Sequence, residues 1–317
     1  MLSVLLITFP FFALVLCGYV AARTAVLPQA AIGGLNAFVL FFALPCMLYR
    51  FGARTPIGVL LDPAAAGVYV AVALVVVASA VALTRRRLGW NDAAFGALVA
   101  AFPNTGFMGV PLLVALLGAQ AAGPAILTML VDMVLTTSLC IALSRLDGAG
   151  THGVAVALRR ALCGMLTNPM PWSIALGAAA SALQFQLPGP IDRTVALLAD
   201  AASPVALFTI GAVLARSQMN QHERVPARDY VPIALAKLFV HPLLVWTGGA
   251  AAIALGAPLT PFAHTALVLA AALPSASNVS LLAERFGAHN GRIARIILVS
   301  TALAFLSFSG AVALLVH

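Results

Sequence analysis

Two short stretches carry residues whose types and spacing invite chemistry. The first is "FPNTGFMGVP", with Pro103, Asn104 and Thr105; the second is "LPSASNVS", with Pro274, Ser275, Ser277 and Asn278. Each lies within a long apolar run. Proline removes a backbone N–H and clashes with the carbonyl four residues earlier, so each stretch predicts a helix broken in mid-course. In hydrocarbon the freed backbone groups need partners, and such breaks survive only when buried in protein or facing water. The short polar side chains can satisfy those groups or contact a ligand. A break also creates a helix N-terminus whose free N–H groups suit an anion such as a carboxylate. One break alone reads as a proline kink. Two of them, each flanked by Asn and by Ser or Thr, point to a binding site.

Ionisable residues lie nearby in apolar runs. A charge at the bilayer centre costs about 3 kcal/mol or more. Asp132 is about ten residues into its run, or about 15 Å deep, and Lys237 about eight residues, or about 12 Å. His241 follows Lys237 one turn later on the same face, and His264 opens the run that holds the second break. The runs with Asp132 and Lys237 flank the two broken ones, so these residues are expected to meet behind the breaks as a buried pair. Two roles stay open for it: a structural pair offsetting its own desolvation, or a coupling site or counter-charge. His241 can titrate near neutral pH, but before Pro242 it reads equally as structural. Asp92, after Asn91, reads as a helix cap.

These residues must be positioned by membrane-spanning helices. Of the 317 residues, 62% are hydrophobic and 8% charged, against about 25% charged in soluble domains. On a ruler of about 20 apolar residues per span, ten spans are expected: 2–22, 33–52, 63–84, 93–116, 122–144, 166–185, 193–215, 229–255, 262–283 and 292–316. The first is read as retained rather than as a cleaved leader. With both termini outside, 13 of the 17 Lys and Arg fall in inside loops, among them Arg85, Arg86 and Arg87; this fits the positive-inside rule. The net charge of +8 is scattered over those loops and forms no nucleic-acid-binding face. Cys17, Cys46, Cys140 and Cys163 have no metal-ligand spacing and read as packing residues. There is no P-loop and no convincing nucleophile–base pair, so neither ATP hydrolysis nor other enzyme activity is expected.

The chain also repeats itself. A shift of 159 places Pro10 on Pro169, Gly18 on Gly177, Pro45 on Pro204 and Gly52 on Gly211. A shift of 171 places "LVAAFP" on "LAAALP", so the two breaks become equivalent. Five spans per half is an odd number, and equivalent helices then run in opposite directions, the inverted-repeat pattern of secondary transporters. The expected organisation is a first repeat over residues 1–144, an inside loop over 145–165 and a second repeat over 166–317.

The first break resembles the crossing motif of the auxin efflux carrier family. "TNPMPW", "ASPVALFTIGAVLA", "KLFVHPLL" and "LPSASNVSLLAERFG" agree with that family along essentially the whole chain. The resemblance implies an all-α membrane fold of ten helices in two inverted five-helix repeats. Spans 1, 2, 6 and 7 would form a scaffold, and spans 3–5 and 8–10 a transport domain whose broken helices 4 and 9 cross at the midplane. Pro103, Asn104, Thr105, Pro274, Ser275, Ser277 and Asn278 would frame the substrate, with Asp132, Lys237 and His241 as coupling or charge-balancing groups. Asn36, Pro45, Asn168, Asp200 and Pro204 would be hinge or interface positions of the scaffold. The chain lacks the long central loop of many plant members, so auxin is not expected as its substrate. The resulting expectation is an inner-membrane secondary transporter of a small organic anion, a carboxylate, working by an elevator-like movement. It would have no cofactor, a coupling ion that is H⁺ or Na⁺, surrounding lipid and a second copy as partners, no nucleic-acid partner, and both ends outside. A cation-coupled carrier or exchanger and a non-transporting membrane sensor are the alternatives.

Overall fold

The computed structural model describes residues 2–55, 58, 62–146, 169–219 and 225–316. Among these the chain is helical, with no strand. In chain order the helices are α1 (Leu2–Arg23), α2 (Gln29–Arg54), α3 (Pro63–Ala101), α4 (Thr105–Leu117), α5 (Ala119–Leu143), α6 (Pro169–Ala182), α7 (Gly189–Met219), α8 (Val231–Ala254), α9 (Pro261–Ala272), α10 (Val279–Arg285) and α11 (Asn290–Leu315). Seven of them, all but α4, α6, α9 and α10, are long and apolar enough to cross a membrane. α3 covers the third expected span and the start of the fourth. Between them Gly89, at φ 78° and ψ 170°, breaks the helical path in a region that glycine tolerates best. The expected loop 145–165 lies, apart from Arg145 and Leu146, outside the described residues, as do Asn168 and Cys163.

Local chemistry sets the helix starts. Asp62 accepts hydrogen bonds from the N–H groups of Ala64 and Ala65, and Pro63 occupies the first turn of α3. Thr260 caps α9 in the same way, accepting from Ala263 ahead of Pro261.

Proline also shapes the helix interiors. Residues Val39–Ala43, Thr105–Gly109 and Ala236–Val240 form π turns, and each is followed two residues later by a proline: Pro45, Pro111 and Pro242. The proline ring would clash with the carbonyl four residues earlier. That carbonyl lies inside each π turn, and the wider turn moves it aside. A fourth π turn, Asp132–Thr136, has no proline. There the Asp132 carbonyl accepts both the N–H of Thr137, the wide bond of the π turn, and the Thr137 hydroxyl at 2.7 Å.

The helices pack in two groups. In the first, α1 lies against α7 and α2 against α6. Glycine makes both contacts possible. A Cβ on Gly18 would sit 1.8 Å from the Phe208 carbonyl oxygen, and one on Gly211 1.8 Å from that of Val15. A Cβ on Gly177 would lie 2.5 Å from the Tyr49 carbonyl oxygen, and Gly52 packs directly on the Gly177 backbone. Apolar burial from water cannot drive helices together in lipid, so close backbone approach through small residues does it. The second group, α3, α5, α8, α9 and α11, packs around Phe95, Leu98, Ile126 and Leu267, and this buried core runs on into the first group through Val15, Leu48, Ile174 and Leu207. Large apolar side chains such as Phe9, Phe42, Leu176, Phe239 and Leu306 face outward. In a bilayer that exposure is favourable.

The scaffold candidates fall on the first group. Asn36 and Pro45 are half-buried and Pro204 is exposed. Asp200 does not pack against the second group: its side chain is 73% exposed and pairs with Arg50 of α2 at 3.0 Å.

Candidate functional site

α3 ends at Ala101 and α9 at Ala272, and each chain then runs extended through Phe102 and Leu273. The two extended stretches meet antiparallel at Pro103 and Ser275. The Asn104 N–H donates to the Pro274 carbonyl at 2.8 Å, and the Ala276 N–H to the Phe102 carbonyl at 2.9 Å. Each break thus satisfies backbone groups that the other has freed. The contact is close: a Cβ on Gly109 would lie 2.5 Å from Cδ1 of Leu273. The Ser275 N–H goes to the hydroxyl of Ser300 on α11, at 3.2 Å.

The side chains at this meeting point are poorly partnered. Asn104, Thr105 and Ser275 are buried, and Ser277 and Asn278 half-buried. The Asn104 Oδ1, Thr105 Oγ1, Ser275 Oγ and Asn278 Oδ1 atoms are enclosed and find no hydrogen-bond partner among the described residues. An enclosed polar atom left unpaired costs about 1–3 kcal/mol. Four such atoms lie on the two facing breaks. α4 begins here: the Thr105 N–H goes to the Pro103 carbonyl at 2.8 Å and the Met108 N–H to that of Asn104 at 3.1 Å, so the N–H groups left over in the first turn are those of Gly106 and Phe107.

Behind the breaks lies a cluster of buried ionisable groups. Asp132, Lys237 and His241 are each fully buried, and both Asp132 and Lys237 ride on π turns. The expected direct pair does not form. The Asp132 carboxylate instead accepts from the Tyr69 hydroxyl of α3 at 2.7 Å and from Thr136 at 3.0 Å. Lys237 Nζ donates to the Ala271 carbonyl at 2.6 Å and meets His241 Nδ1 at 3.2 Å. The separation has a local cause. An unbroken α9 would give the Ala271 carbonyl to the N–H of Ser275, but that N–H is turned to Ser300, so Lys237 takes its place. A cation at a helix C-terminus is also favoured by the helix dipole. The Tyr69 and His241 rings lie 6.0 Å apart, centroid to centroid, and complete a chain from Thr136 to Ala271. His241 Nε2 has no hydrogen-bond partner among the described residues.

Tyr69, Thr136 and Ser300 carry no motif and were not among the sequence candidates. Their only signal is a hydroxyl within an apolar run. His264, by contrast, lies away from the breaks: its ring packs on Gly249, and its Nε2 meets the Trp246 carbonyl.

A further polar cluster ties one end of the second group together. The carboxylate of Asp92 does not cap its own helix but accepts the His289 N–H at 2.7 Å. Buried Arg292 donates through Nη1 to the Asp92 carbonyl at 2.9 Å and through Nε to the Asp229 carbonyl at 2.7 Å. Arg87 forms a salt bridge with Asp229, and Asn91 donates to the Phe286 and Gly287 carbonyls. Gly96 leaves room for the guanidinium, since a Cβ there would sit 2.6 Å from Arg292 Nη2. α3, the approach to α8 and the start of α11 are thereby held as one body. Among the described residues no three His, Cys, Asp or Glu side chains gather as a metal site.

Comparison with known proteins gives a concordant result. A family model described as membrane transport protein matches residues 4–312. The chain is 31% identical over 306 residues to the "Putative malonate transporter" of Rhizobium meliloti (strain 1021), covering 95% of this chain and 92% of that protein. It is 24% identical over 292 residues to the "Uncharacterized transporter YfdV" of Escherichia coli (strain K12), covering 88% and 87%. Its relatives are transporters rather than enzymes. The chain belongs to the membrane transport protein family, that of the auxin efflux carriers its motifs resemble.

Proposed function

We propose that this multi-pass membrane transporter carries a small organic anion, a carboxylate, by secondary active transport. The carrying observation is the set of four enclosed, unpartnered oxygens on Asn104, Thr105, Ser275 and Asn278. Hydroxyls can donate to a carboxylate, and each asparagine amide can turn its NH₂ toward one. The first turn of α4 adds N–H groups and a favourable dipole. Pro103 and Pro274 keep both breaks open, and Ser277 lies beside Asn278 on the same loop. The similarity to the Rhizobium protein named as a putative malonate transporter supports the substrate class.

Movement is read as an elevator-like slide of α3–α5 and α8–α11 against a scaffold of α1, α2, α6 and α7. The glycine contacts support an inverted repeat beneath it. Under the shift of 159, Gly18 corresponds to Gly177 and Gly52 to Gly211. The contact of α1 with α7 then corresponds to that of α6 with α2, and both rest on these glycines. The Arg292 cluster supports a moving body that holds together. In this reading ten spans lie in an inner membrane with both termini outside, and two copies pair through the scaffold. Asp132 and Lys237 lie next to the breaks as the groups that respond to a coupling ion.

One observation favours a second reading: the four unpartnered atoms are oxygens, the ligand type that Na⁺ prefers. Solid-supported-membrane currents with malonate, malate and aromatic carboxylates, at fixed pH with and without Na⁺, separate the two. Currents that depend on the carboxylate and not on Na⁺ support the anion reading. Na⁺-dependent currents without any carboxylate overturn it.

A further inference from the structure

We propose that the buried chain Asp132–Tyr69–His241–Lys237 is a proton-binding site and that H⁺ is the ion coupled to transport. This deepens the carrier reading and rests on it.

The geometry differs from that of a structural ion pair. A pair that only offsets its own burial closes to direct contact and fills its remaining hydrogen bonds. Here Asp132 takes its hydrogen bonds from two neutral hydroxyls. Lys237 gives its own to a carbonyl and an imidazole. Among the described residues no hydrogen bond or salt bridge joins the two. Carboxylate and ammonium are thus held apart with a phenol and an imidazole between them, each a group that can pass a proton. His241 Nε2, fully buried and unpartnered, leaves the chain unfinished at its centre. The groups facing Asp132 are Tyr69 from α3, Lys237 from α8, and Thr136 and Cys140 on its own helix; His241 of α8 faces Lys237 and Tyr69. α9 contributes the Ala271 carbonyl, and α11 the neutral Ser300 at the second break.

The cluster also touches both breaks. Met129, one turn before Asp132, abuts Gly106: a Cβ there would lie 3.1 Å from its Sδ. Lys237 holds the carbonyl of Ala271, three residues before Pro274. A change of charge at the cluster is therefore felt at each half of the substrate site. The chemical step is simple: one H⁺ from water bonds to a carboxylate oxygen of Asp132, giving the acid. The same O–H bond later breaks, returning H⁺ to water on the other side. Nothing is oxidised or reduced. The acid can donate to the Tyr69 oxygen, reversing the present bond, and Lys237 then lacks its balancing anion.

The test uses the full chain in proteoliposomes, with malonate as probe, a pH-sensitive dye inside and protein-free liposomes as control. A pH difference of one unit, alkaline inside, should drive about tenfold accumulation per coupled proton. Lumenal acidification should accompany uptake, and replacing Na⁺ by choline should change neither. Asp132→Asn should lose the tenfold response. If that variant is not monodisperse, Tyr69→Phe, which keeps the ring and deletes only the hydroxyl, should lose it instead. Malonate flux without proton movement, or a folded Asp132→Asn with the full pH response, overturns the proposal alone. No flux of malonate, malate or an aromatic carboxylate, in net uptake and in counterflow alike, overturns the carrier reading and this proposal with it.

Discussion

Replacing Lys237 by Met keeps an unbranched side chain of similar length and removes the ammonium. Two acceptors lose their donor: the Ala271 carbonyl, bound at 2.6 Å, and His241 Nδ1, at 3.2 Å. Neither is reached by solvent, because Lys237 and His241 are fully buried. Stranding a buried acceptor costs about 1–3 kcal/mol, so two cost about 2–6 kcal/mol. Relief of the buried ammonium's own desolvation offsets part of this, leaving a net loss of about 2–4 kcal/mol. The reasoning also predicts a rescue. Adding His241→Leu removes one stranded acceptor and should return about 1–2 kcal/mol, making the double variant more stable than Lys237→Met alone. Chemical unfolding in mixed micelles, followed by the fluorescence of Trp90, Trp172 and Trp246, reads both numbers. A Lys237→Met protein as stable as the parent would refute the claim that Lys237 secures the end of α9. Additive losses in the double variant would refute its link to His241.

Four further outcomes follow from the packing and the hydrogen bonds. Gly211→Ala should cost about 1–3 kcal/mol in micelle unfolding, despite alanine's better helix propensity of about 1 kcal/mol. Gly310→Ala, with nothing within 4 Å of the added Cβ, should be neutral or slightly stabilising in the same assay. Ser300→Ala strands the Ser275 N–H and should cost about 1–3 kcal/mol while weakening the thermal shift produced by malonate. Arg292→Met leaves the Asp92 and Asp229 carbonyls unserved and should speed amide hydrogen exchange around residues 89–96 and 227–233, with little change in α1 and α7.

The breaks were legible in the sequence because proline acts through covalent structure alone. Pro103 and Pro274 remove an N–H whatever surrounds them, and both helices stop just before them. The same rule places three of the four π turns, each two residues before a proline. The fourth, at Asp132, has no proline, and no spacing rule announces it. Asp132 and Lys237 stood out because charge is costly in an apolar run. Their partners did not, since Tyr69 and Ala271 are unremarkable residues brought in by tertiary packing. Sequence reasoning joined the two charges directly because it could not see that the second break leaves a carbonyl for Lys237 to serve. Asp200, named only through the resemblance, carried no signal of its partner, and its exposed side chain pairs with Arg50.

The central claim is that the meeting point of the two breaks holds a carboxylate. The most direct measurement is saturable uptake of labelled malonate, malate and an aromatic carboxylate by proteoliposomes, for the parent chain and for Asn104→Ala. Loss of one hydrogen bond to a charged ligand, about 1.5–3 kcal/mol, predicts an affinity weakened by about tenfold or more for each accepted substrate. Unchanged binding and uptake of every accepted substrate by Asn104→Ala would contradict the account.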